Sequence, residues 1–239
     1  MRHYSLFFIL ISMGVSSCNN DPEPGPSPEE DRAYVTLYNF LYEPFEVKWE
    51  VDEVEIQDNL SYGTIITGGV LLDDDSEEIL FVVKNGSSGA YLESQNLSMT
   101  KDKNYLAVVY GTAENPVLLC QELETDPPTS GHINFRFLHA TVGEDPVDIY
   151  MGGTSPEKQT LTGLSYGDIS EYDEISEYDV RASVIVTLHD TVYKEENELI
   201  SFEYNDLIQV SSNYLSVIAP SSNNEPNDLT LWLYPQPKE

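Results

Sequence analysis

Phe45-Glu46-Val47-Lys48-Trp49-Glu50-Val51-Asp52 alternates apolar and charged side chains without a break. Successive side chains of an extended strand point to opposite faces. This stretch therefore lays Phe45, Val47, Trp49 and Val51 on a dry face and its charges on a wet one. Ile79, Phe81 and Val83 repeat the pattern, and with Leu80 and Val82 also apolar that strand is expected to be covered on both faces. Further along, Val180, Ala182, Val184, Val186 and Leu188 alternate with Arg181, Ser183, Thr187 and His189. Ile133-Asn134-Phe135-Arg136-Phe137, Tyr214 to Ile218, and Leu229, Leu231 and Leu233 add strands. Asn85-Gly86, Gly68-Gly69, Gly152-Gly153 and Asp228 supply turn signals between them. No stretch shows sustained helical periodicity. The fold predicted is all-β, with roughly seven short strands per ~100 residues, the density of an antiparallel sandwich.

The chain also repeats itself. Leu60-Ser61-Tyr62-Gly63 returns as Leu164-Ser165-Tyr166-Gly167, and Asn104-Tyr105-Leu106 returns as Asn213-Tyr214-Leu215. Phe45 to Trp49 aligns with Val147 to Met151. Three landmarks in the same order point to two tandem sandwiches, one over residues 33–124 and one over 132–239. Asp126-Pro127-Pro128-Thr129-Ser130-Gly131 falls in the linker, 125–131, because its prolines cannot donate to a ladder.

The N-terminus reads as an export signal. Arg2 and His3 precede an apolar core from Leu6 to Val15, too short to span a bilayer, and Val15-Ser16-Ser17-Cys18 resembles a bacterial lipobox. Residues 1–17 are then the lipoprotein signal peptide, and Cys18 the lipidated residue. Residues 18–32 carry Pro22, Pro24, Pro26 and Pro28 among acids, which suits an extended, disordered tether. Asn19 after the cysteine resembles the outer-membrane sorting pattern of Gram-negative lipoproteins, with surface and periplasmic orientations both open. The membrane is met through the lipid anchor alone.

Charge closes off several partners. With 42 acidic against 11 basic residues the net charge is −31, so nucleic acid and anionic headgroups meet repulsion. Cys120 is left without an intramolecular cysteine once Cys18 is lipidated. In the apolar run Val117-Leu118-Leu119 it reads as a small buried hydrophobe.

Ile133-Asn134-Phe135-Arg136-Phe137-Leu138-His139-Ala140, then Pro146-Val147-Asp148-Ile149-Tyr150 and Gly152, resemble the family catalogued as domain of unknown function 4397. Leu164 to Tyr172 is similar to that family's Tyr-Gly-x-x-x-Tyr segment. The first half carries Asn39-Phe40 and Glu46 near these positions, as a diverged copy would. The resemblance implies secreted or lipid-anchored immunoglobulin-like modules, often in tandem, with no established activity.

Candidate chemistry is sparse. His139 and Asp148, on successive strands, could form a hydrogen-bonded pair that orients an imidazole as a general base, although no nucleophile elbow accompanies them. Asp73, Asp74, Asp75 and Glu77 are calcium candidates by their hard oxygen ligands, yet they lack the spacing of a calcium-binding loop and equally suit a solvated turn. A second acidic run (Glu171, Asp173, Glu174, Glu177, Asp179) recurs in the later repeat. Neither a metal motif nor a cofactor motif is present. The expectation is a non-enzymatic outer-membrane lipoprotein binding or adhering to an envelope protein, a glycan or another extracellular polymer. The alternatives are a periplasmic envelope spacer and a hydrolase using His139 and Asp148.

Overall fold

The structure is a computed structural model that describes residues 32–42, 46–123, 126–143, 145–189, 198–202, 212–221 and 229–236. The expected signal peptide, Cys18 and residues 18–31 of the expected tether lie outside the described residues, whereas Arg32, expected as the last tether residue, opens the first strand because it pairs with Leu71. Contacts group the chain into two compact units that divide after Leu123, with Phe40–Pro44 and Val109–Val117 grouped with the second.

The first sandwich is built from β1 (Arg32–Tyr42), β2 (Val47–Val51), β3 (Val54–Leu60), β4 (Thr64–Leu71), β5 (Ser76–Asn85), β6 (Tyr91–Thr100), β7 (Asn104–Thr112) and β8 (Pro116–Glu122). They form two four-stranded sheets, β4-β1-β7-β8 and β3-β2-β5-β6. The alternation read at Phe45 to Asp52 is borne out over β2, where Val47, Trp49 and Val51 are buried while Lys48 and Glu50 are half-exposed. On β5, Ile79, Phe81 and Val83 are buried, but Leu80 and Val82 are only half-covered, so that strand has one dry face rather than two. Each fully buried Trp or Phe contributes about 1.5–3 kcal/mol of transfer free energy, so Trp49 and Phe81 are major contributors to the first core.

The second unit carries β9 (His132–His139), β10 (Val147–Met151), β11 (Gln159–Leu164), β12 (Asp173–Ser176), helix α1 (Glu177–Ala182), β13 (Val184–Leu188), β14 (Glu198–Phe202), β15 (Asn213–Pro220) and β16 (Leu229–Pro235). Its sheets are β12-β9-β15-β16 and β11-β10-β13-β14, the same two strand orders as in the first unit. Phe135, Phe137 and Ile218 from one sheet and Ile149, Val184 and Val186 from the other share one apolar core. The antiparallel expectation is corrected where β15 runs parallel to β9. The chain leaves the β13-β14 hairpin for the opposite sheet before forming β15, and parallel neighbours require such a crossover.

The strand expected from Val180 is shorter than its alternation suggests. Ser176 caps α1 by accepting the Tyr178 amide, and Glu177 and Asp179 lie in the first turn, where carboxylates complement the helix dipole. The extended strand starts only at Val184.

The repeat is visible bond by bond. The Gly63 amide donates to the Asn39 carbonyl at 2.7 Å, and the Gly167 amide donates to the His139 carbonyl at 2.8 Å. Leu123 bonds back to Asn104 as Gln236 bonds back to Asn213. Val47 pairs with Leu60 and Asn85, and Val147 with Leu164 and Leu188. Val47, not Phe45, is therefore the counterpart of Val147. That register corrects the sequence alignment by two residues, so Lys48 rather than Glu46 stands where the second unit has Asp148.

Candidate functional site

Asp148 projects from β10, which lies between β11 and β13, and its carboxylate is buried. One oxygen, Oδ1, accepts three hydrogen bonds: the Gly163 amide at 2.8 Å, the Thr162 hydroxyl at 3.0 Å and His189 Nδ1 at 2.8 Å. A buried carboxylate requires such partners, and donors on an ionised oxygen form stronger bonds than neutral pairs. The contact to a carboxylate places the imidazole proton on Nδ1.

His139 is not part of this arrangement. It is fully buried at the end of β9, where its Nδ1 accepts the Thr141 amide at 3.3 Å and its ring lies edge-on to Tyr166. The His139–Asp148 pair is thus corrected: Asp148 bonds His189, and His139 is a core residue. Burial pushes the His139 imidazole below its ordinary value, with backbone carbonyls and Asp168 opposing more weakly.

The Thr162, His189 and Asp148 side chains do not make a nucleophilic relay. A relay needs the hydroxyl on one imidazole nitrogen and the carboxylate on the other. Here the hydroxyl and Nδ1 share one carboxylate oxygen, and Thr162 Oγ1 lies 3.5 Å from that same Nδ1. What the arrangement does is clasp the left-handed bulge at Gly163 (φ 66°) and the end of β13 to one buried anion.

The first unit builds the same corner from different residues. Asn59 (φ 61°), immediately before Leu60, stands where Gly163 precedes Leu164. Gly86 donates to the Glu46 carbonyl as His189 donates to the Pro146 carbonyl. The exchange is reciprocal in size. A Cβ on Gly86 would come within 2.6 Å of the Glu46 carbonyl oxygen and 2.8 Å of Asn59 Oδ1, and a Cβ on Gly163 within 3.4 Å of His189 Cε1. Lys48, in the place of Asp148, pairs with Glu55 at 3.0 Å and Asp58 at 3.3 Å. The charge at this position is inverted between the repeats.

Beside the clasp, β11 and the segment leading into β12 border an open cleft of about 470 Å³. Thr160, Thr162, Ser170, Glu171, Tyr172 and Asp173 are among the residues that line it. The Arg136 guanidinium stacks 4.6 Å from the Tyr172 ring centroid and steadies the ring. Partial burial raises the Asp173 carboxyl above the usual aspartate range.

The calcium candidates do not converge. Asp73, Asp74 and Asp75 are exposed, Asp75 pairs with Lys101 at 3.2 Å, and Glu77 Oε2 accepts the Asp73 amide at 3.1 Å. Among the described residues, no group of three or more His, Cys, Asp or Glu side chains is placed to hold a metal ion. Cys120 is buried, as its apolar surroundings suggest, and burial pushes its thiol up to about 12. No thiolate forms there at neutral pH.

Sequence reading found Asp148 but not Thr162 and His189. No spacing connects these three positions; only the pairing of β10 with β11 on one side and β13 on the other brings them together.

Fold and site together define an all-β chain of two β-sandwiches, the second with an open cleft lined by apolar, hydroxyl and carboxyl side chains. No family model and no curated protein matches it. Among solved structures it is similar to CBMbc, a family 26 carbohydrate-binding module of Eubacterium rectale Amy13K, crystallised with maltoheptaose. Identity is 12%, over 87% of this chain and 98% of that one, with a TM-score of 0.23. A likeness that low carries no argument about fold or ligand.

One expected result concerns His139. The unfolded imidazole titrates near its ordinary 6.5, while the folded one resists protonation. The unfolded state therefore binds more protons below that pH, and the second sandwich loses stability as pH falls from about 6.5 through the lowered folded value. His139→Asn introduces the residue found at Asn39, whose amide donates to the Leu60 carbonyl at 2.8 Å. The variant is expected to fold and to show a flatter stability profile between pH 7 and 5 in urea titrations. An unchanged slope would assign the dependence elsewhere.

Proposed function

We propose that this chain is a non-enzymatic, lipid-anchored outer-membrane protein of a Gram-negative bacterium. Its tandem immunoglobulin-like sandwiches, held on the Pro-rich tether, bind an envelope protein or an extracellular polymer. The sequence support is the Val15-Ser16-Ser17-Cys18 segment and the resemblance to domain of unknown function 4397. The observation that carries the binding reading is the rim cleft, where hydroxyls, three carboxylates (Asp168, Glu171 and Asp173) and a braced tyrosine line one open surface. Such a lining offers both hydrogen-bond acceptors and an aromatic surface to a hydroxyl-rich chain.

The test measures retention of the purified chain on insoluble cell-envelope and extracellular polysaccharide. Wild type is expected to bind saturably without turnover. Glu171→Gln combined with Asp173→Asn, which preserves side-chain shape, is expected to weaken retention about tenfold at unchanged melting temperature. Equal retention of wild type and variant would sink the cleft reading, and no retention of either would favour the spacer. In the same strain, protease shaving of intact cells with a tag after Glu239 reports orientation, and loss of the tag before lysis supports surface display.

A further inference from the structure

We infer that the outer edge of β4, which pairs with no strand among the described residues, is a strand-addition site for an extended segment of another polypeptide. An edge strand presents unpaired backbone N–H and C=O groups, and natural proteins guard such edges with charge, proline, bulges or brevity. Among the described edge strands, all but β4 carry at least one of these devices. β3 holds Glu55 and Asp58, β6 holds Glu93, and β14 holds Glu198. β8 begins at Pro116 and β16 ends at Pro235. The pairing of β11 with β10 is broken by register shifts. β12, the counterpart of β4 in the second unit, has only four residues and opens with Asp173 and Glu174.

β4 has none of these guards in its own sequence, although the Arg32 side chain of β1 lies over Gly69 near its C-terminal end. Its sequence is Thr64-Ile65-Ile66-Thr67-Gly68-Gly69-Val70-Leu71, and the whole stretch from Asn59 to Leu72 lacks a charged residue in a chain with 42 acids. It pairs with β1 over eight consecutive positions with no register shift, so its outer edge is straight. Ile65, Thr67 and, across the ladder on β1, Tyr34 are exposed. An incoming strand would lay β-branched side chains beside Ile65 and Thr67 while its backbone completes the open ladder.

The charge around the edge selects the occupant. β4 runs into exposed Asp73, Asp74 and Asp75, so the added strand should be uncharged in its middle and basic at the end that meets these acids. A second copy is disfavoured, because both chains carry a net charge of −31.

The probe is a synthetic peptide as long as β4 that alternates valine and threonine and ends in lysines. Its binding to the purified chain is followed by fluorescence anisotropy. Saturable binding is expected, weakened about tenfold by Ile65→Lys and comparably when the terminal lysines become glutamates. N-methylation of either the odd or the even peptide amides tests backbone pairing, because one set faces β4 and the other faces away. The inference predicts loss of binding for one set only. Equal affinity of both methylated peptides would overturn strand addition, as would absence of binding. Dimerisation of the chain that Ile65→Lys abolishes, without peptide binding, would overturn it in favour of a second copy. Glu171→Gln with Asp173→Asn should leave peptide binding unchanged, which separates this site from the rim cleft.

Discussion

Asp148→Ala is expected to destabilise the second sandwich by about 3 kcal/mol, the largest single-site effect anticipated outside the apolar core. The substitution strips three donors of one buried acceptor: the Gly163 amide, the Thr162 hydroxyl and His189 Nδ1. The Gly163 amide cannot turn to water without unwinding the left-handed bulge at the end of β11. Asp148→Asn should cost roughly half as much, since an amide oxygen still accepts the Gly163 N–H but without charge. Guanidinium titrations of the two variants provide the measurement. A cost below about 1 kcal/mol for alanine would show that the three bonds contribute little. The outcome also separates function classes. A hydrolase relying on this carboxylate would lose turnover in Asp148→Asn with its fold nearly intact, whereas a clasp loses stability and has no turnover to lose.

The second large effect concerns the size exchange between repeats. Gly163→Asn alone is expected to cost about 2 kcal/mol, because the new side chain must share space with His189. Backbone strain is not the cause, since Asn59 occupies the equivalent left-handed position in the first unit. His189→Gly alone removes the Nδ1 bond to Asp148 and leaves a gap. Made together, the two substitutions rebuild the Asn59–Gly86 corner, and the pair should cost at least about 1 kcal/mol less than the sum of the singles. A double-mutant cycle by chemical denaturation measures that coupling. Additive costs would mean that the exchange between the repeats is coincidental rather than compensating.

Periodicity alone carried much of the fold. Val47, Trp49 and Val51 alternate with charges because a half-buried strand must present one face to water, and that constraint is local enough to read from neighbours. Longer range brought errors. The alternation through Val180 and Ala182 favoured a strand, but the Ser176 cap and first-turn acids turned this segment into α1. The two-residue slip between Phe45 and Val147 arose because alternating strands look alike at every even offset; only hydrogen-bonded partners resolve such a shift.

The candidate site shows the same division. Asp148 stood out as an acid in an otherwise apolar strand, and His139 as a histidine at a strand end, so their proximity in sequence suggested a pair. Strand order decided otherwise. β10 sits between β11 and β13, which brings Asp148 to Thr162 on one side and His189 on the other, while β9 belongs to the opposite sheet and buries His139 there. The all-β class, the internal duplication and the acidic character were legible in the chain alone, because pattern and composition are sums over local choices. The register between repeats, the partners of Asp148 and the position of β4 at a sheet edge among the described strands emerged only on folding, because each depends on which strands become neighbours in a sheet.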